Sequence, residues 1–133
     1  MSACRVLDSY SILAYLEDEP GADKVSDLIK RARDAGKPLL LSVVNWGEVY
    51  YIIRREAGKE AADSAMLALE TLPIELVNVD RELTYAAAEL KATHKMSYAD
   101  CFAAALAQTR KAELVTGDKE FKTLEGIIRI LWL

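Results

Sequence analysis

Apolar residues recur along the chain in two alternating rhythms, short unbroken runs and a three-to-four-residue helical spacing. Residues 4–7 predict a first buried strand. Residues 9–17 predict a short helix with Ile12, Leu13 and Leu16 on one face, ended by Pro20-Gly21. Residues 23–35 are amphipathic through Val25, Leu28, Ile29 and Ala32, with Lys30, Arg31 and Arg33 near the C-terminal end and Gly36 as the stop. Pro38 opens a second strand, Leu39-Leu40-Leu41. Ser42 is placed to cap a helix that runs to Gly58, and another helix covers 59–72. After Pro73, residues 74–79 are rich in β-branched side chains and predict a third strand. Asp80 then caps a helix reaching Thr93, and Ser97 starts one over 98–110 that is apolar on nearly every side. Residues 113–116 predict a fourth strand, 118–124 a short turn or helix, and 127–132 a last strand. Short apolar strands alternating with helices predict an α/β fold, its parallel sheet covered on both faces.

At 133 residues, 52% of them apolar, the chain is expected to form one domain over 1–133 with a substantial core. The formal charge of −4 argues against a protein held to nucleic acid mainly by net positive charge. The first eight residues lack a basic stretch leading into an apolar signal core, and no apolar run reaches membrane-spanning length. A soluble cytoplasmic protein without membrane partners is the expectation. Cys4 and Cys101 fall in apolar segments without metal-ligand spacing and read as reduced core thiols.

Charge changes the picture at one helix. Glu48 shares a ridge with Val44 and Ile52, and no Lys or Arg lies one turn before or after it. An ionised carboxylate on such a stripe calls for a raised pKa, a cationic partner or a metal. Asp8 directly follows the first predicted strand, and Asp118 follows the fourth after Gly117. Glu48 lies in the second turn of the helix after the second strand. All three belong at the carboxyl edge of a parallel sheet, where open α/β folds bind ligands. Asp100 begins a helix that runs antiparallel to the fourth strand, so it reaches the same edge. Asp8 and Asp118 are also read as N-caps, and Ser97-Tyr98-Ala99-Asp100 has capping-box spacing. Four acids at one edge would repel one another, and a hard divalent cation, Mg²⁺ or Mn²⁺, would resolve the repulsion. All-carboxylate Mg²⁺ sites suit phosphoryl and phosphodiester chemistry.

Around these acids, Ser9, Ser11 and Thr116 are candidates for holding a water or a phosphate oxygen, or for satisfying turn backbone. Asn45, one turn before Glu48, is placed to orient it. Lys91, His94, Lys95, Arg54 and Arg55 are candidates for RNA contact, or cations favoured near helix C-termini. Asp80 fits a capping role alone.

The motifs carried by these residues resemble those of the PIN-domain nucleases, and in length and order those of the toxin in VapBC-type toxin-antitoxin pairs. Val6-Leu7-Asp8-Ser9 with Ile12-Leu13 resembles the opening motif, and Ser42-Val43-Val44-Asn45-Trp46-Gly47-Glu48-Val49 the second. Ser97-Tyr98-Ala99-Asp100-Cys101 and Leu114-Val115-Thr116-Gly117-Asp118-Lys119-Glu120-Phe121 resemble the third and fourth. The resemblance spans essentially the whole chain. It implies a three-layer α/β/α fold with four to five parallel strands. It also implies Asp8, Glu48, Asp100 and Asp118 as metal-binding catalytic acids, with Thr116 as an accompanying hydroxyl. The activity implied is Mg²⁺-dependent endoribonuclease chemistry by metal-activated water, with Mn²⁺ as a substitute. The implied partners are an RNA substrate, a second copy in a homodimer and a small protein antitoxin. One departure is Tyr10, which stands where a small polar residue is usual.

Two other classes are weighed beside this. A phospho-receiver domain is also α/β with an acidic Mg²⁺ pocket, but it wants an acidic pair after the first strand and a Lys after the last; Asp8 stands alone and the chain ends Leu131-Trp132-Leu133. A non-catalytic module that keeps the fold would have no use for the intact acidic set.

Overall fold

A computed structural model of the chain describes residues 4–133. Five strands form one all-parallel sheet in the order β3-β2-β1-β4-β5. They are β1 (Arg5–Leu7), β2 (Leu39–Ser42), β3 (Ile74–Val77), β4 (Glu113–Thr116) and β5 (Ile130–Trp132). The helices are α1 (Ser9–Leu16), α2 (Ala22–Ala35), α3 (Val43–Ala57), α4 (Lys59–Glu70), α5 (Arg81–Thr93) and α6 (Tyr98–Thr109), and a 3₁₀ helix covers Lys119–Leu124.

Side chains alternate across a strand, so each strand feeds two cores. Val6, Leu40 and Leu114 point into one, with Leu83, Ala87 and Leu90 of α5, Phe102 and Leu106 of α6, and Phe121 of the 3₁₀ helix. Leu7, Leu39, Leu41 and Val115 point into the other, against Ile12 of α1, Val25 and Leu28 of α2, Val49 of α3 and Leu69 of α4. The expected three-layer α/β/α arrangement is the one found. In α6, Cys101 and Ala103 to Ala105 are fully buried because the helix meets the sheet, α5 and α3 at once.

The differences from the sequence reading lie at element ends. Cys4 precedes the first strand proper, although its carbonyl still accepts from Glu113 N–H at 3.0 Å. The third strand stops at Val77, because its partner Ser42 is the last strand residue before α3. The last strand starts at Ile130, not 127. The Ile127 and Ile128 amides bond back to the Leu124 carbonyl at 2.9 and 3.0 Å, and Ile128 fills the first core from a turn. β-Branched apolar residues there serve packing without strand pairing. Among the described residues, no helix is long and apolar enough to cross a membrane.

Candidate functional site

The chain winds outward from β1 in one direction through β2 and β3, then returns to the other side of β1 through β4 and β5. The switch point therefore lies between β1 and β4, and the crevice outside their carboxyl ends is where such sheets bind ligands. Leu7 pairs with Val115, so the next residues on each strand, Asp8 and Thr116, come level. The Thr116 hydroxyl donates to Asp8 Oδ2 and accepts from Asp118 N–H at 3.0 Å. One hydroxyl thus ties the ends of both central strands.

Asp8 is 1% exposed and heavily engaged. Its Oδ1 accepts from Ser11 N–H at 2.9 Å and Ser11 Oγ at 3.0 Å, while its own N–H donates to Ser11 Oγ, a full capping box for α1. Asp118 caps the 3₁₀ helix through Glu120 N–H at 3.0 Å. Capping and site membership are therefore not alternatives for these two acids. At Asp100 the box is half made: Ser97 Oγ accepts from Asp100 N–H at 3.1 Å, and the carboxyl group lies at the acid cluster.

Burial pushes the Asp100 carboxyl up to about 7, with the charges of Asp118, Asp8 and Glu48 adding to the rise and the Ser97 hydroxyl opposing it. Burial also pushes Asp8 up to about 6, against its bonds to Thr116 and Ser11 and with help from Asp118. Asp100 is thus within electrostatic reach of the other three acids singled out from sequence. The ion pairs among the described residues, Arg5 with Glu113, Arg31 with Asp27 and Lys59 with Asp63, involve none of them.

Glu48 differs from its sequence reading. It is half-buried, along with Val44 and Ile52, whereas the buried ridge of α3 is Asn45, Val49 and Ile53. The cost of placing it there is correspondingly smaller than a full stripe position would impose. Asn45 does hold it, donating from Nδ2 to Glu48 Oε1 at 3.3 Å and to the Ala99 carbonyl at 3.2 Å, which links α3 to α6 beside Asp100. Asn45 is fully buried, and its Oδ1 has no hydrogen-bond partner among the described residues.

One acid joins the cluster without a signal in periodicity or spacing. One carboxylate oxygen each of Asp100, Asp118 and Glu120 lies within 4.8 Å of the others, a grouping that includes neither Asp8 nor Glu48. In sequence, Glu120 reads only as an ordinary acid in a helix's first turn. The donor set fits a hard divalent cation, with carboxylate oxygens crowded closely enough to repel one another.

Several secondary candidates have partners other than the acids. Lys91 Nζ donates to the Met96 carbonyl at 2.6 Å, and His94 Nδ1 lies 2.9 Å from Thr93 Oγ1 and 3.2 Å from the Leu90 carbonyl oxygen. The Arg55 guanidinium lies over the Tyr51 ring. Asp80 caps α5 through Leu83 N–H at 2.8 Å, as its sequence reading requires. Cys4 and Cys101 are both free thiols.

A family model described as PIN domain matches residues 5–127. The chain belongs to the PIN domain family. No curated protein sequence matches it. Among solved structures, this PIN domain resembles VapBC2 from Rickettsia felis, bound to a DNA fragment from its promoter, at 16% identity with a TM-score of 0.79 over 98% of each chain. It also resembles DNA-bound VapBC from Salmonella typhimurium, at 19% identity and a TM-score of 0.71 over 98% of each chain. A third likeness is to VapC20 of Mycobacterium tuberculosis, a sarcin-ricin loop cleaving toxin, at 19% identity and a TM-score of 0.71, covering 93% of this chain and 96% of that one. At these identities the likeness is one of fold.

Proposed function

We propose that this PIN domain is a Mg²⁺-dependent endoribonuclease, the toxin of a type II toxin-antitoxin pair, acting in the cytoplasm. The observation that carries the reading is the Asp100 carboxyl, raised by burial and further by the charges of Asp118, Asp8 and Glu48, with none of these acids in an ion pair among the described residues. Asp8, Glu48, Asp100 and Asp118 would hold the cation, with Mn²⁺ as a substitute. When bound, it would supply Lewis-acid polarisation of a phosphodiester and a more acidic water. The chain's own contribution is positioning. Thr116 Oγ fixes Asp8 relative to the Asp118 backbone, Ser11 holds the other Asp8 oxygen, and Asn45 Nδ2 orients Glu48. VapC20, of the same fold, is a sarcin-ricin loop cleaving toxin, and RNA is the substrate proposed here by analogy.

A small protein antitoxin and a second copy of the chain are the proposed partners. The large apolar side chains exposed at Tyr51, Leu67, Leu76 and Tyr85 offer surface for both. VapBC-5 of Mycobacterium tuberculosis, of the same fold, is a member of the VapBC family of toxin-antitoxin systems. The test is cleavage of matched single-stranded RNA and DNA in Mg²⁺ or EDTA. RNA cleavage that EDTA abolishes, with DNA left intact, is the expected result. Equal cleavage of both strands, or cleavage that resists EDTA, overturns the reading.

A further inference from the structure

Tyr10 is the second residue of α1, two positions after Asp8. It remains 43% exposed. The hydroxyl-bearing edge of its ring lies against Gly117: a Cβ at that position would collide with Cε1 and would lie 2.8 Å from Cζ and 3.0 Å from the hydroxyl oxygen. Only glycine permits so close an approach. The ring is thereby seated on the backbone that joins Thr116 to Asp118, at the mouth of the acidic crevice. The same side chain lines a cleft of about 210 Å³ with Leu13, Ala14, Glu19 and Pro20. An aromatic side chain held at its edge by backbone and bordering a cleft is preorganised for stacking.

We propose that Tyr10 is a stacking platform for an unpaired nucleobase next to the scissile phosphate, so that the protein engages RNA at a single-stranded position. This rests on the ribonuclease reading and deepens it. Stacking needs a free base face, which a base inside a duplex does not offer. Every base has such a face, so the platform selects for strandedness and leaves sequence preference to other contacts. The ring's role is positioning: it fixes where the strand lies relative to the acids.

The experiment uses a short oligoadenylate RNA bearing 2-aminopurine, whose emission falls on stacking. It is titrated with the full chain carrying Asp100→Asn to prevent turnover, in Mg²⁺, with Tyr10 intact or changed to Phe, Leu or Ser. Thermal unfolding checks that each variant is folded, and the Ser variant serves if the Leu variant is not. With Tyr10 or Phe, the expected result is quenching and affinities within about twofold of each other. With Leu or Ser, quenching is lost and affinity falls about fivefold to a hundredfold. Annealing a complementary strand removes the dependence on Tyr10. Binding and quenching by Leu and Ser variants that match those with Tyr10 overturn the proposal. So does faster cleavage of single strands by Tyr10→Leu with Asp100 intact, which would make the ring a cover over the crevice. Tyr10-dependent quenching in a protein that cleaves no RNA would sink the ribonuclease reading and leave the stacking role standing.

Discussion

Asp8 and Asp100 are acids that the fold accommodates at an electrostatic cost. Both carboxyls stand above the ordinary value of 3.8 in the folded chain, at about 6 and about 7. The folded state therefore binds more protons than the unfolded one between about pH 4 and pH 7, and the stability of the metal-free protein falls as pH rises through that window. A divalent cation competes with those protons, so its stabilising effect grows with pH. Thermal unfolding in EDTA and in Mg²⁺, at about pH 5 and about pH 8, measures both effects. Asp100→Asn should stabilise the metal-free protein at about pH 8 by on the order of 1–4 kcal/mol while removing most of the gain from Mg²⁺. A wild type that becomes more stable with pH in EDTA would contradict this account of the two acids. Part of it was legible in sequence, where Asp8, Glu48, Asp100 and Asp118 stood at strand ends or helix starts. Glu120 was not, because only the tight path of the 3₁₀ helix brings it to Asp100 and Asp118.

At the scale of elements, helices and strands were largely legible because the apolar spacing switches cleanly between them. What the spacing misplaced were ends, where tertiary pairing decides. Residues 78 and 79 look like strand but have no β2 partner, and Ile127 and Ile128 look like strand but pack from a turn. Glu48 shows the same limit within a helix. Its ridge with Val44 and Ile52 is the apolar one by spacing, yet α3 turns Asn45, Val49 and Ile53 inward, and Asn45 bridges to α6. The junction of α3 and α4 depends on one residue: Gly58 ends the first helix and begins the second at φ 94°, ψ 173°, a region essentially reserved for glycine. Gly58→Ala should cost about 1–3 kcal/mol, read as a lower urea midpoint at unchanged slope. RNA cleavage by the folded variant should stay near wild type, because the acids are held by the other ends of their elements. An Ala variant as stable as wild type would show that the junction relaxes without strain.

For the whole molecule, the decisive fact is strand order. Sequence placed the acids at one edge of a parallel sheet, but it did not show that β1 and β4 are neighbours. That adjacency makes the switch point, brings Thr116 level with Asp8, and lets a single hydroxyl join two strand ends. The chain carries a net charge of −4, and its crevice is lined by acids, so phosphate is repelled there unless a cation intervenes. Cleavage should therefore depend on both the metal and the acids that hold it. The most direct measurement is the rate of single-stranded RNA cleavage across a Mg²⁺ titration, for wild type and Asp100→Asn side by side. The wild-type rate should rise from background to a plateau, and the variant should stay on the order of a hundredfold or more below it at every concentration. A wild type that cleaves equally well without Mg²⁺, or a variant that reaches the same plateau, would contradict a metal centre built from these carboxylates.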